Sequence, residues 1–178
     1  MESVLKTFRK GSTVYFAVAL LFAAVAGACK ISYSFTGASI SPQLKTLSVQ
    51  YFQNRSSVVQ PGLSQTITDA LIDKCKAQTK LSIVNGFGDA NFEGEITDYS
   101  TRPLTVASDS RAATNRFTIA VKVKFTNTLE PQYNFEKTFS RYEDYDSRLN
   151  LSDVEKQLTD KILALIVEDI FNAAFVNW

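Results

Sequence analysis

The segment RFTIAVKVKFT, residues 116–126, constrains the fold more than any other part of the chain. Phe117, Ile119, Val121, Val123 and Phe125 alternate with Thr118, Ala120, Lys122, Lys124 and Thr126. A period of two sends the first set to one face of a β-strand and the second set to the other. The strand must therefore lie in a sheet with one buried and one solvated face, the usual pattern of antiparallel pairing. The apolar face then needs a layer to cover it, and the search for that layer organises the rest of the chain.

Two segments carry helical periodicity. Leu63, Ile67, Ala70, Leu71 and Cys75 recur with a helical period after Pro61, which suits the start of a helix because its missing N–H is not needed there. Val154, Leu158, Ile162, Leu165 and Ile170 do the same up to about Asn172, and Ser152-Asp153-Val154-Glu155 spells a capping box. The apolar arc of this second helix widens from Ile162 to Val167, which calls for a second core contact, a docked Phe175–Trp178 tail or a partner surface. Ahead of the first helix, Leu47, Val49 and Tyr51 alternate as a first strand that ends at the Gln53–Ser56 turn. Leu81, Ile83 and Val84 form a short apolar run, and residues 91–100 read as a strand weakened by Gly94. Residues 101–115, with Pro103 and no period, read as a long loop. Tyr133, Phe135 and Phe139 follow the Thr128–Pro131 turn as a hairpin strand. The expected architecture is α+β: two helices packed on one face of a mostly antiparallel sheet of four to five strands.

Composition removes whole classes of chemistry. The chain has 178 residues, no histidine and only two cysteines, Cys29 and Cys75. Serine–histidine, cysteine–histidine and histidine–metal mechanisms are excluded, as are a zinc cluster and a multi-disulfide scaffold. With 19 Lys+Arg against 18 Asp+Glu, the formal charge of +1 lacks the basic excess of a dedicated nucleic-acid binder. We expect no cofactor, no metal and no nucleic-acid partner.

The first thirty residues have their own logic. Lys6, Arg9 and Lys10 precede an uncharged stretch, Val14 to Ala28, that closes on small residues. This is the layout of a secretory signal, and the run falls short of the roughly 20 residues a spanning helix needs. Ala26-Gly27-Ala28-Cys29 resembles a bacterial lipobox, with Ala26 where leucine is commonest; an ordinary signal with a cysteine nearby is the alternative. The resemblance implies that Cys29 is lipidated and becomes the new N-terminus. Several acyl chains on one residue anchor stably where one alone is marginal. Lys30 stands where many inner-membrane lipoproteins carry aspartate, and Lys30-Ile31-Ser32-Tyr33 lacks the acidic cluster of surface-displayed ones. The implied location is the periplasmic side of the outer membrane. We read residues 1–28 as a lipoprotein signal, 29–43 as lipidated N-terminus and tether, and 44–178 as one α+β domain. Processing removes more basic than acidic groups, so the mature chain has a slight acidic excess. With Cys29 taken by lipid, Cys75 reads as a small buried hydrophobe.

Motifs that could carry catalysis do not assemble. Gly86-Phe87-Gly88-Asp89 follows a strand but lacks the third glycine and the following helix of a dinucleotide loop. Glu143, Asp144 and Asp146 lack the spacing of a calcium loop and read as a solvated acidic turn. Glu93 and Glu95 share a strand face and read as exposed charges rather than a glycosidase pair. The basic residues remain. Arg102, Arg111 and Arg116 lie in or beside the long loop, and Lys122 and Lys124 share the solvated strand face. Together they could bind a phosphorylated, acylated ligand through charge-assisted hydrogen bonds; solvated surface is the plainer alternative.

The stretch CKISYSFTGASISPQLKTLSVQYFQNRSSVVQPGLSQTITDAL, with Tyr33–Ile40 and Tyr51–Arg55 within it, resembles the Bacteroidota-type LptE family of lipopolysaccharide-assembly lipoproteins. Asn115–Ile119 and Phe139–Tyr142 fit the same family. The resemblance implies a non-enzymatic subunit that plugs the lumen of the outer-membrane barrel LptD, one copy to one, and helps it assemble. It further implies lipopolysaccharide binding through basic loop residues and a lipid anchor in the membrane. Two other classes stay open: an adaptor or pilotin lipoprotein for another barrel or secretion complex, and a carboxylate-based hydrolase acting on glycans.

Overall fold

A computed structural model describes residues 40–104 and 114–176. The signal segment, Cys29, most of the tether, Arg111 and the last two residues lie outside them. The elements run β1 (Thr46–Val49), β2 (Gln53–Asn54), α1 (Leu63–Gln78), β3 (Ser82–Ile83), β4 (Ala90–Leu104), β5 (Thr114–Asn127), a 3-10 turn (Pro131–Tyr133), β6 (Phe135–Asp146) and α2 (Leu151–Phe175). The sheet has six strands in the order β3-β1-β4-β5-β6, with β2 beside β4 in line with β1. This is the expected α+β class, with two helices on one face.

The sheet is mixed, where mostly antiparallel pairing was expected. β4–β5 and β5–β6 are antiparallel. β1 pairs in parallel with β3 and β4, and β2 pairs in parallel with β4. A strand, a helix and a returning strand form a crossover, and a crossover joins parallel strands. The long loop expected over 101–115 is narrower. β4 continues to Leu104 and β5 begins at Thr114, so Arg102 opposes Arg116 and Pro103 opposes Asn115 within the ladder. Pro103 is tolerated because β2 ends its pairing at Ile96, leaving that edge of β4 without a strand among the described residues. The acidic turn expected at 143–146 is the end of β6, paired with Thr114–Phe117.

The core lies between the sheet and the helices. Phe92, Ile96, Phe117, Ile119, Val121, Val123 and Phe125 are fully buried from the sheet side. Leu63, Ile67, Leu71 and Cys75 face them from α1, and Leu158, Ile162, Ile166, Ile170, Phe171 and Phe175 from α2. Phe175 meets Phe92 and Phe125 edge-on at 6.0 and 5.6 Å, so the C-terminal turn is a core element. The wide arc of α2 is largely core: Ile162, Leu163, Ile166 and Val167 are all buried, while Ala164 and Leu165 are open. Cys75 is a free thiol within this core, pushed up to about 12 by burial. The capping box does not form. Asn150 caps α2 with extended backbone and no side-chain bond, and the helix starts at Leu151, ahead of Ser152.

The first strand departs most from its periodicity. The four steps from Val49 to Gln53 match only three from Phe92 to Glu95, so one extra residue bulges out of the β1–β2 edge. The alternation therefore fails at Tyr51, which turns to solvent while Phe52 takes the inward position. Gly94 makes room for it, since a Cβ there would fall 1.8 Å from the Phe52 ring. The Phe52 amide is satisfied by the Thr68 hydroxyl at 3.1 Å, which ties the bulge to α1.

Candidate functional site

The polar face of the sheet is where the expected basic residues fall. Arg102, Arg116, Lys122 and Lys124 all point to it, because Arg102 opposes Arg116 and Lys122 opposes Glu95 in the β4–β5 register. They do not form one patch. Six residue steps of extended chain separate Arg116 from Lys122, roughly 20 Å at the usual strand rise. The face thus has two ends with different chemistry.

At one end stand the arginines. Arg116 donates from Nε and Nη2 to the two carboxylate oxygens of Asp144 at 2.8 and 3.0 Å, a bidentate pair. Its guanidinium also lies 3.6 Å from the Tyr142 ring centroid, in cation–π contact. Hydrogen bonding to Arg116 holds the Asp144 carboxyl below its ordinary value and raises the guanidinium in return. Arg102 is exposed and has no ion pair among the described residues. Of the two, Arg102 is the more available cation, and Arg116 is already oriented.

At the other end stand the lysines, and each is answered. Lys122 pairs with Glu136, whose carboxyl is lowered by the hydrogen bond from Lys122. Lys124 lies 3.9 Å from Glu93, and Arg55 Nε lies 3.1 Å from Glu95. Glu93 and Glu95 share a face, and both are engaged by cations. The acidic group at the end of β6 is likewise engaged, Asp144 by Arg116 and Asp146 by Arg148. No group of three or more metal-ligating side chains occurs among the described residues.

Sequence reasoning missed the loop that shapes this end. Residues 84–89 leave β3, cross the polar face of β1 and enter β4, so the Gly-Phe-Gly sequence lies between two strands. Gly88 donates its N–H to the Ser48 hydroxyl at 3.0 Å, and Asp89 donates its own to the Thr46 hydroxyl at 2.9 Å. The Asp89 carboxylate accepts the Thr46 and Lys45 amides at 2.9 and 3.1 Å, and its bonds to Thr46 keep it below its ordinary value. A Cβ on Gly88 would come within 3.0 Å of the Thr46–Leu47 backbone, so this close passage needs glycine. Gly86 turns the loop at φ +92°, and its carbonyl accepts the Gln50 side-chain amide at 2.6 Å. Phe87 is left at the tip, 82% exposed. The signal was the pair of flanking glycines, whose close approach is to β1 rather than to a phosphate.

The family model for LptE, lipopolysaccharide-assembly, matches residues 44–174. No curated protein matches the chain. Among solved structures, a hypothetical protein from Chlamydia trachomatis superposes with TM-score 0.50 at 8% identity, over 74% of this chain and 98% of that one. The rare lipoprotein B of Shewanella oneidensis gives TM-score 0.48 at 13% identity, over 72% and 92% of the two chains. A minor lipoprotein from Acinetobacter baumannii gives 0.48 at 11% identity, over 74% and 94%.

Proposed function

Since the chain belongs to the LptE lipopolysaccharide-assembly family, its model matching residues 44–174, we propose that it is the non-enzymatic subunit that plugs an LptD-type barrel and assists its assembly. The family match carries this reading. The physical character of the domain supports it. The apolar side of the sheet is sealed under α1 and α2, and the other side carries paired charges suited to the wet, polar lumen of a large barrel. Acyl chains on Cys29 would hold the domain at the inner leaflet of the outer membrane while residues 30–43 span to the barrel. Affinity purification of the full chain from outer membranes, with partners identified by mass spectrometry, tests the assignment. An LptD-type barrel recovered at one copy per copy is expected. A secretin or another barrel recovered in its place would reject it in favour of an adaptor or pilotin role.

For lipopolysaccharide itself, the arginine end is the proposed contact. Arg102 offers a guanidinium with no ion pair among the described residues beside the pre-oriented Arg116, and Arg111 lies in the segment joining their strands. Lys122 and Lys124 contribute less, because each already neutralises a carboxylate. Phosphates on the lipid's head would exchange with Asp144 for Arg116 and meet Arg102 directly.

A further inference from the structure

The groove at the lysine end lies apart from the lipopolysaccharide contact proposed at the arginine end. Its volume is about 400 Å³, at the small end of the range for ligand sites, and its lining includes Tyr51, Phe87, Gln50, Gln53 and Arg55 together with strand charges. Two features separate it from ordinary surface. The first is that Tyr51 and Phe87, 57% and 82% exposed, line the same depression. Single exposed apolar side chains are common, but these two are held out by defined contacts beneath them. Tyr51 faces water because Phe52 locks the bulge against Gly94, and Phe87 because Gly86, Gly88 and Asp89 are bonded to Gln50, Ser48 and Thr46. The second feature is electrical. Glu93, Glu95 and Glu136 are matched by Lys124, Arg55 and Lys122, so the lining has both donors and acceptors and no net charge.

That combination selects among ligand classes. A phosphate or an anionic glycan needs an uncompensated cation, which this end lacks. An acyl chain needs a continuous apolar lining, and charged strand residues interrupt it here. A sugar ring presents an apolar C–H face suited to an aromatic side chain, and hydroxyls that both donate and accept. We propose that this groove binds a neutral oligosaccharide, its rings stacked on Tyr51 and Phe87 and its hydroxyls bonded to Gln50, Gln53 and the paired strand charges. The site does not depend on the barrel partnership and is separate from the arginine end.

The test uses the full chain in detergent on an array of immobilised neutral and phosphorylated oligosaccharides, followed by solution titration of the strongest neutral hit. Neutral glycans should be retained equally at low and high salt. Phe87→Ala and Tyr51→Ala should each weaken binding on the order of tenfold, about 1.4 kcal/mol, with melting unchanged because both side chains are largely exposed. Retention of no neutral glycan would overturn the proposal, as would binding confined to phosphorylated glycans that salt abolishes. Neutral binding unaffected by either substitution would place the site elsewhere and overturn it equally. Barrel recovery is a separate measurement, so the failure of one reading leaves the other standing.

Discussion

The two ends of the polar sheet face use the same residue types and reach opposite results. At the lysine end, cations and carboxylates alternate across β2, β4, β5 and β6 and neutralise one another, and the shape comes from buried backbone features beneath. At the arginine end, β1 and β2 have stopped pairing, and the charges sit on the three-stranded β4–β5–β6 ribbon. There Arg116 is satisfied by Asp144, and Arg102 faces it with a like charge. A lysine or arginine on a strand therefore tells little about binding until its cross-strand neighbour is known. One end is built by packing and the other by surface pairing, so they should fail differently when substituted.

The largest effect is expected where packing does the building. Phe52 is completely buried and holds the β1–β2 bulge against Gly94. Phe52→Ala should cost about 3–5 kcal/mol in denaturant unfolding, as deletion of a core aromatic usually does. A loss of under about 1 kcal/mol, well below that range, would mean that the bulge is held by its hydrogen bonds alone. Gly88→Ala should come next, at about 1–3 kcal/mol, because the new methyl meets backbone at 3.0 Å rather than a flexible side chain. If this substitution were neutral, the loop carrying Phe87 would not be clamped on β1.

These packing features were also the least legible in the sequence. The Phe117–Phe125 alternation announced β5 and the two-faced sheet without ambiguity, and both helices followed from their apolar spacing. Tyr51 misled because alternation assumes one residue per step, and a single inserted residue reverses every side chain beyond it. The parallel pairing of β1 with β3 and β4 was implied by the strand–helix–strand order and then obscured by strands as short as Ser82–Ile83. The loop expected at 101–115 is narrower because β4 tolerates Pro103 on an edge that no described strand pairs, where propensity alone argues for a break. For the site, the sequence placed Lys122 and Lys124 on the polar face but left Arg102 and Arg116 in or beside a loop. It could not show that Glu93, Glu136 and Asp144 answer Lys124, Lys122 and Arg116, because those partners come from register.

A smaller effect is expected at the arginine end, and it should appear in binding rather than in stability. Replacing Arg102, Arg111 and Arg116 together with serine should weaken lipopolysaccharide binding on the order of tenfold, roughly the value of one charge-assisted hydrogen bond. The wild-type affinity should fall with added salt, and the variant's should fall less. Replacing Lys122 and Lys124 should change it little, because those charges are already spent on Glu136 and Glu93. Equal losses from the two sets would erase the distinction between the ends; no loss from the arginine set would place the lipopolysaccharide contact elsewhere.

Acid separates the ends least, and the sign can be worked out for both. Asp146 is held at about 2 by Arg148, and Asp144 is lowered by Arg116, both at the arginine end. Glu136 is lowered by Lys122, and Asp89 by its bonds to Thr46, at the lysine end. A carboxylate with a depressed folded pKa adds stability that is complete above its unfolded value, near 4, and is lost as the pH falls through the folded one. Melting temperature should therefore hold steady from neutral pH down to about 4 and decline toward about 2. Arg148→Gln should remove part of that decline by releasing Asp146, and Lys122→Gln should do the same through Glu136. All of these groups are open to solvent, so each share is small and should shrink as salt screens the pairs. A decline that begins well above pH 5 would require a group whose unfolded pKa lies above the carboxylate range, and would reject these carboxylates as its source. A decline unmoved by either substitution would mean that these surface pairs do not set the acid limit at either end.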